Sequence, residues 1–167
     1  EHNSSMVELC FHGGALPENV PAEYRIYMED MQSSFSKLDE LIEEINCMTE
    51  GDERLDDTRV KAIFYALYFG ADDPQSAADQ DFVDCFVTYE ERTRTVSVTD
   101  ENGNEVEQEE TYTVAVPITD LETIWNNISA ETGLTISAEQ KRNADSIYNL
   151  VLYGSSTGME GWIPGAD

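Results

Sequence analysis

The chain has 167 residues, of which 35 are acidic and 9 are basic, and its formal net charge is −26 at pH 7. A surface with this charge repels nucleic acids and anionic lipids, so we expect no direct nucleic-acid binding. No apolar run approaches the ~20 residues of a membrane span, so we also expect no membrane insertion by this segment. The hydrophobic fraction of 40% is sufficient for the core of one domain.

Residues 1–20 are predicted to form an irregular N-terminal segment, because Gly13, Gly14 and Pro17 interrupt it. Its only apolar piece is short, from Met6 to Phe11. The three cysteines, Cys10, Cys47 and Cys85, are widely spaced and form no CxxC pair. Their odd number argues against a complete disulfide framework, although one bridge remains open.

A single α+β domain is predicted for residues 21–154, and it begins with a long helix from Pro21 to about Met48. The apolar residues of this helix recur three and four positions apart, at Met28, Met31, Phe35, Leu38, Ile42 and Ile45. Such a methionine-bearing stripe can receive a partner helix, but burial in the core is the favoured interpretation.

A second helix is predicted from Thr58 to Phe69, with Asp57 as its N-cap and a stop at Gly70. Its density of large apolar side chains makes it the best candidate for the central core helix. A short helix from Pro74 to Gln80 should follow, with Asp73 as its cap.

The stretch from Asp81 to Pro117 predicts one long antiparallel β-hairpin around the turn signal Asn102-Gly103. Strict alternation of apolar and polar residues fails between Tyr89 and Val96, which predicts a bulge or bend. Arg92 and Arg94 face the acidic run 105–110 on the other strand, so cross-strand ion pairs are expected.

Two further helices complete the predicted domain, giving about five helices in a mainly helical α+β fold. Thr119 or Asp120 caps the first, which ends at Gly133, and Ser137 with Gln140 has the spacing of a capping box for the second. Residues 155–167 are rich in Gly and Ser and are predicted to be a linker or tail.

The residues offer no evident catalytic or metal-binding constellation. Both histidines, His2 and His12, lie in the N-terminal segment, where His12 and Cys10 together supply two of the three or four ligands that a zinc site needs, so a zinc site is disfavoured. The acidic turn from Asp100 fails as an EF-hand, because Gly103 is fourth rather than sixth and Thr111 is twelfth. We therefore predict that the segment is not an enzyme, with no catalytic residue, no bound metal and no cofactor.

If one surface of the chain binds a partner, the hairpin is the first candidate. The predicted partner-binding residues are its charged side chains: Glu90, Glu91, Arg92, Arg94, Asp100, Glu101, Glu105, Glu107, Glu109 and Glu110.

Five stretches of the sequence carry a resemblance to a known family. They are LPENVPAEYRIYM, RVKAIFYALYFG, FVDCFVTYEERTRTVSVTDENGNE, ETYTVAVPITDL and ADSIYNLVLYG, and together they extend from about Leu16 to Gly154. They resemble the region upstream of the catalytic domain in lysostaphin-type zinc endopeptidases, which Gram-positive bacteria carry on integrative conjugative elements. The zinc-binding His-x-His pair of those peptidases has no counterpart here, so no catalytic residue can be transferred.

The resemblance implies a non-catalytic accessory or docking domain of a cell-wall hydrolase, located outside the membrane and acting through a protein partner or the wall. The net charge supports an alternative, in which the protein is a cytoplasmic nucleic-acid mimic that inhibits a basic nuclease, as anti-restriction and anti-CRISPR proteins do.

Overall fold

The computed structural model describes residues 2–153, and in this range six α-helices surround a common core from which one β-hairpin extends. The α+β prediction is confirmed, with six helices in place of about five. In chain order the elements are α1 (His2–His12), α2 (Ala22–Asn46), α3 (Asp57–Tyr68), a 3₁₀ turn (Pro74–Ala77), α4 (Gln80–Asp84), β1 (Val87–Thr99), β2 (Glu105–Pro117), α5 (Leu121–Thr132) and α6 (Ala138–Tyr153).

The prediction of an irregular N-terminal segment is wrong, because His2–His12 forms helix α1. Its buried residues Val7 and Cys10 are three positions apart and pack against α2, and the Phe11 ring meets Phe35 edge-on at 4.7 Å between centroids. Tertiary burial thus stabilises a helix whose sequence is too short to be stable alone. Gly13 ends it in a left-handed conformation, with its N–H bonded to Leu9 O at 3.0 Å.

Helix α2 follows the prediction closely, starting directly after Pro21 and ending two residues before Met48. At 1.5 Å per residue its 25 residues span roughly 37 Å. The predicted stripe is core: all of Met28, Met31, Phe35, Leu38, Ile42 and Ile45 are buried.

Helix α3 is the central element of the core. Three residues of this helix, Val60, Ile63 and Phe64, are fully buried. Helix α3 packs along much of its length against helix α6. The N-cap is Asp56 rather than the predicted Asp57: Asp56 accepts a hydrogen bond from Arg59 N–H. Two adjacent aspartates are equally suitable N-caps by residue type, so only the backbone conformation determines which of them caps the helix.

The short helix predicted from Pro74 to Gln80 is instead two elements. Pro74–Ala77 forms a 3₁₀ turn, and α4 starts after Asp79, whose carboxylate accepts from Phe82 N–H at 3.0 Å. Asp73 does not cap through its side chain, because its backbone is left-handed, with φ of 51°. An N-cap residue normally has an extended backbone that turns its side chain toward the first helical amides.

The caps predicted for the last two helices are confirmed. Asp120 accepts from Thr123 N–H, and Gly133 ends α5 with φ of 77°. At the start of α6, Ser137 Oγ accepts from Gln140 N–H at 3.1 Å while Gln140 Oε1 accepts from Ser137 N–H at 2.9 Å, a reciprocal capping box. The predicted tail, residues 155–167, lies outside the described residues.

Phe64 is a large and fully buried core residue, and its ring contacts Phe82 edge-on at 5.2 Å between centroids. We expect Phe64→Ala to lower the free energy of unfolding by about 3–5 kcal/mol. Ile26→Ala is the matched control, because Ile26 is 61% exposed on α2 and its truncation should cost under about 0.5 kcal/mol. Urea denaturation of both variants checks this; equal midpoints would contradict the assigned core.

Candidate surface for partner binding

Strands β1 and β2 form a two-stranded antiparallel ribbon of 13 residues per strand, roughly 40 Å long. Their pairing runs without interruption from Val87 opposite Pro117 to Thr99 opposite Glu105. The bulge predicted between Tyr89 and Val96 is therefore wrong. Alternation fails there because both faces of the ribbon are open to solvent, so no buried face imposes a pattern on the sequence.

The base of the ribbon is fixed to the helical body by its backbone and by one tyrosine. Ala115 N–H donates to Met48 O at 2.9 Å, and Ile118 N–H donates to Phe86 O at 2.8 Å. Tyr89 Oη donates to Asp84 Oδ1 at 2.6 Å. The pKa of Tyr89 is raised mainly by burial and secondly by this hydrogen bond. The tyrosine therefore keeps its proton, and the bond is intact, throughout the neutral pH range.

Directly opposed residues share a face of an antiparallel ribbon, so the register assigns each predicted binding residue to one side. We call one side the acidic face; it carries Glu91, Glu105, Glu107 and Glu109 among threonine and serine side chains, with no basic residue. The opposite side, the mixed face, carries Glu90, Arg92, Arg94, Tyr112 and Glu110.

On the mixed face the charges are paired, partly with each other and partly with Glu50 of the segment between α2 and α3. Arg94 Nε bonds to Glu110 Oε2 at 2.9 Å, which confirms one predicted cross-strand pair, and its guanidinium lies 4.6 Å from the Tyr112 ring centroid. Arg92 does not pair across the ribbon; it binds Glu90 at 2.7 Å and Glu50 at 3.5 Å. Its cross-strand neighbour is the uncharged Tyr112, which accounts for the difference.

The remaining predicted residues, Asp100 and Glu101, lie in the turn. Asp100 Oδ1 accepts from the N–H groups of Asn102 and Asn104 at 2.9 and 2.8 Å, so this carboxylate holds the turn together. Gly103 adopts φ of 84° and donates to Asp100 O. The connection is thus a three-residue loop with glycine in the left-handed position, rather than a two-residue Asn-Gly turn.

A second polar cluster, between α3 and α6, was not visible in the sequence because its members are distant along the chain. Arg59 Nη1 bonds to Asp145 at 2.8 Å, and its guanidinium stacks 3.7 Å from the Tyr148 ring centroid. Tyr148 Oη donates to Asp56 Oδ2 at 2.6 Å. An open cleft beside this cluster is lined by two arginines and two carboxylates, and so has no charge preference of its own.

The cysteines are reduced and two of them are buried. Burial raises the pKa of the Cys10 thiol to about 12, and burial with nearby carboxylates raises the pKa of Cys85 to about 11. At neutral pH neither thiol supplies the thiolate that nucleophilic catalysis needs. Among the described residues, no three His, Cys, Asp or Glu side chains are grouped so that they could hold a metal ion.

Most of the basic side chains already have partners within the molecule. Lys61, only 12% exposed, binds Asp39 at 3.0 Å, and Arg25 and Lys37 donate to backbone carbonyls of Pro17 and Gln75. With Arg59, Arg92 and Arg94, six of the nine basic residues are engaged in this way. The acidic excess is therefore the charge that the surface presents to a partner.

The comparisons with known proteins add no relative to this description. The sequence matches no family model and no curated protein, and its fold matches no solved structure. Among the described helices, none has both the length and the apolar character required to cross a membrane.

The α3–α6 cluster should make stability depend on pH in the alkaline range. The pKa of Tyr148 is raised to about 12, mainly by its hydrogen bond to Asp56 and secondly by burial, whereas a tyrosine in the unfolded chain titrates near 10. Because the folded-state pKa is raised, the stabilisation is complete below about pH 10 and is lost as pH rises toward 12.

We expect Tyr148→Phe to lower the free energy of unfolding by about 1–2 kcal/mol at pH 8, with a difference from the wild type that shrinks above pH 10. Tyr153→Phe is the control, since Tyr153 is 62% exposed. Denaturation curves at several pH values provide the measurement. A Tyr148→Phe deficit that stays constant to pH 12 would show that the hydrogen bond is absent in solution.

Proposed function

We propose that this chain is a non-catalytic docking module and that the ribbon is its docking element. The observation that supports this is the exposure of the ribbon beyond its base: from Thr88 outward no residue of β1 is buried, and none of β2 is buried before Val114. An isolated two-stranded ribbon is marginally stable, so this extension contributes little to folding. A long, exposed and charged extension on a well-packed body is suited to recognising another molecule.

The family resemblance suggests the setting for this role. As an accessory region of a cell-wall hydrolase from a mobile element, the module would lie outside the membrane and would position the peptidase by binding a protein partner or the wall. The reading frame around the gene segment tests this setting: a downstream peptidase domain with a His-x-His motif supports it, and a stop codon after Asp167 opposes it.

The docking role itself is tested with a variant that has a shorter ribbon. Deleting residues 92–97 and 107–112 removes two segments that pair with each other, so the Glu91–Thr113 pair then lies next to the Val98–Val106 pair. Both segments have the same even length, so every remaining side chain stays on its original face of the ribbon. The helical body should be unaffected, because only exposed or half-buried residues are lost.

We expect the full chain to co-sediment with purified Gram-positive cell walls that retain their surface proteins, and the shortened variant to bind at least about tenfold more weakly. Walls stripped of protein by protease distinguish a protein partner from the wall polymer. Circular dichroism confirms that the variant is folded. Equal binding by the two chains, or binding by neither, would refute docking through the ribbon.

Inhibition of a nuclease by nucleic-acid mimicry is the second candidate, and the acidic face favours it. Alternate residues on a strand are about 6.8 Å apart, whereas one DNA strand carries a charge every ~3.4 Å of axis. The glutamates of one strand therefore reach half this density, and mimicry would require additional carboxylates from the helices. This deficit places the mimic second.

A panel of purified restriction and CRISPR nucleases, assayed at low salt with excess protein, tests the mimic. Inhibition should weaken steeply as salt is raised, because it would depend on screened charges. If all nucleases retain full activity, this candidate is excluded for the panel, whereas docking through the ribbon is unaffected.

A further inference from the structure

The hydrogen-bonding pattern of the ribbon determines which backbone groups point away from it. At the tip, Asp100 N–H donates to Asn104 O, and at the base Ile118 N–H donates to Phe86 O. Pairs in an antiparallel ladder alternate between bonded and non-bonded, so even-numbered residues are bonded across the ribbon. The N–H and C=O groups of odd-numbered residues therefore point outward along the two edges.

Within the described chain, one residue on the outer edge of β2 forms a backbone hydrogen bond to another segment. Ala115, an odd-numbered residue, donates outward to Met48 O, which confirms the assignment and shows that this edge can accept a neighbouring segment. Beyond Ala115, the outward groups of residues 105–113 have no backbone partner among the described residues. About five alternate positions thus form an open strand edge.

The two edges differ in charge. Along β2, the outward positions Glu105, Glu107 and Glu109 carry acidic side chains, whereas the facing positions on β1 are Thr99, Ser97 and Thr95. All of these side chains are exposed. An added strand beside β2 would therefore meet a carboxylate at every second residue, about 6.8 Å apart.

Resting on the docking role proposed above, we propose that β2 accepts a third strand: an extended segment of a partner protein with lysine or arginine at alternate positions. Main-chain hydrogen bonds to the open edge would hold the segment, and its alternate basic side chains would pair with Glu105, Glu107 and Glu109. The intervening residues would lie on the mixed-face side beside Val106, which is 42% exposed and suits an apolar neighbour.

A second copy of the chain is a poorer occupant of this edge. Antiparallel pairing of two β2 strands about Glu107 would place Glu105 opposite Glu109 and Glu107 opposite itself, and like charges directly opposed are destabilising. The net charge of −26 on each copy adds long-range repulsion.

The test uses the full chain and a synthetic peptide, acetyl-Thr-Lys-Val-Lys-Thr-Lys-Val-amide. A second peptide has the same sequence, but the backbone nitrogens of its three lysines are methylated. The analogue keeps every charge but cannot donate the hydrogen bonds toward β2. We expect the unmodified peptide to bind at low salt and to slow amide exchange at Glu107, Glu109 and Thr111 at least about tenfold. The N-methylated analogue should bind at least about tenfold more weakly.

Proline substitutions on the two edges provide a matched pair of variants. Thr111→Pro removes one outward N–H from β2, while Thr93→Pro does the same directly across the ribbon on β1, and neither removes a charge or a bond between the strands. Thr111→Pro should weaken peptide binding by about tenfold or more, and Thr93→Pro should leave it within about twofold. Glu107→Gln with Glu109→Gln should weaken it by about fivefold at low salt.

Three results would overturn strand addition. If both peptides bind equally without slowing exchange at the β2 edge, the ribbon binds basic segments through charge alone, and docking survives without a third strand. If neither binds at low salt, the basic strand is the wrong occupant, and the shortened ribbon decides docking separately. If Glu107 and Glu109 become protected with rising protein concentration and no peptide, a second copy of the chain occupies the β2 edge instead.

Discussion

The packing of α3 into the centre of the helical body is the constraint on which the rest of the structure depends. Phe64 meets Phe82 of α4 edge-on, and Phe82 in turn contacts Phe86 immediately before β1, with centroids 5.4 Å apart. This line of rings connects the central helix to the first residue of the ribbon. The position of the ribbon is therefore determined by aromatic packing at its base, because the remainder of its length contacts mostly solvent.

The polar contacts at the base complete this arrangement. The bond from Ala115 to Met48 ties β2 to the segment after α2, and Tyr89 ties β1 to Asp84 of α4. Both strands are thus held where they leave the body, and a rigid base preserves the orientation of an extension that has one further ion pair to the body, between Arg92 and Glu50. Preorganisation of this kind reduces the ordering cost that binding would otherwise incur.

Local chemistry made several elements predictable from the sequence. Asp120, Gly133, Ser137 and Gln140 act through bonds to residues at most four positions away, and spacing alone reveals such bonds. Helix α1 was missed because its stability comes from contact with α2. The bulge was predicted because strict alternation fails between Tyr89 and Val96, but alternation is required only where one face of a sheet is buried.

For the candidate surface, composition selected the two strands of the ribbon but could not assign their residues to its two faces. The separation of Glu107 from Arg94 onto opposite faces follows from the register, which depends on the conformation of the turn. The cluster of Arg59 with Asp145 joins residues 86 positions apart, and no local pattern signals it. Which backbone groups lie open on β2 likewise required the paired structure.

The commitment of most basic side chains to internal partners has a consequence for the behaviour of the whole molecule. With most of its cations engaged, the protein resembles a compact polyanion, and dispersed carboxylates repel one another throughout its surface. Added salt screens this repulsion over a Debye length of about 10 Å at 0.1 M, so moderate ionic strength should favour the folded state. The same counterion atmosphere would compete with any basic partner, so conditions that strengthen the fold would weaken its associations.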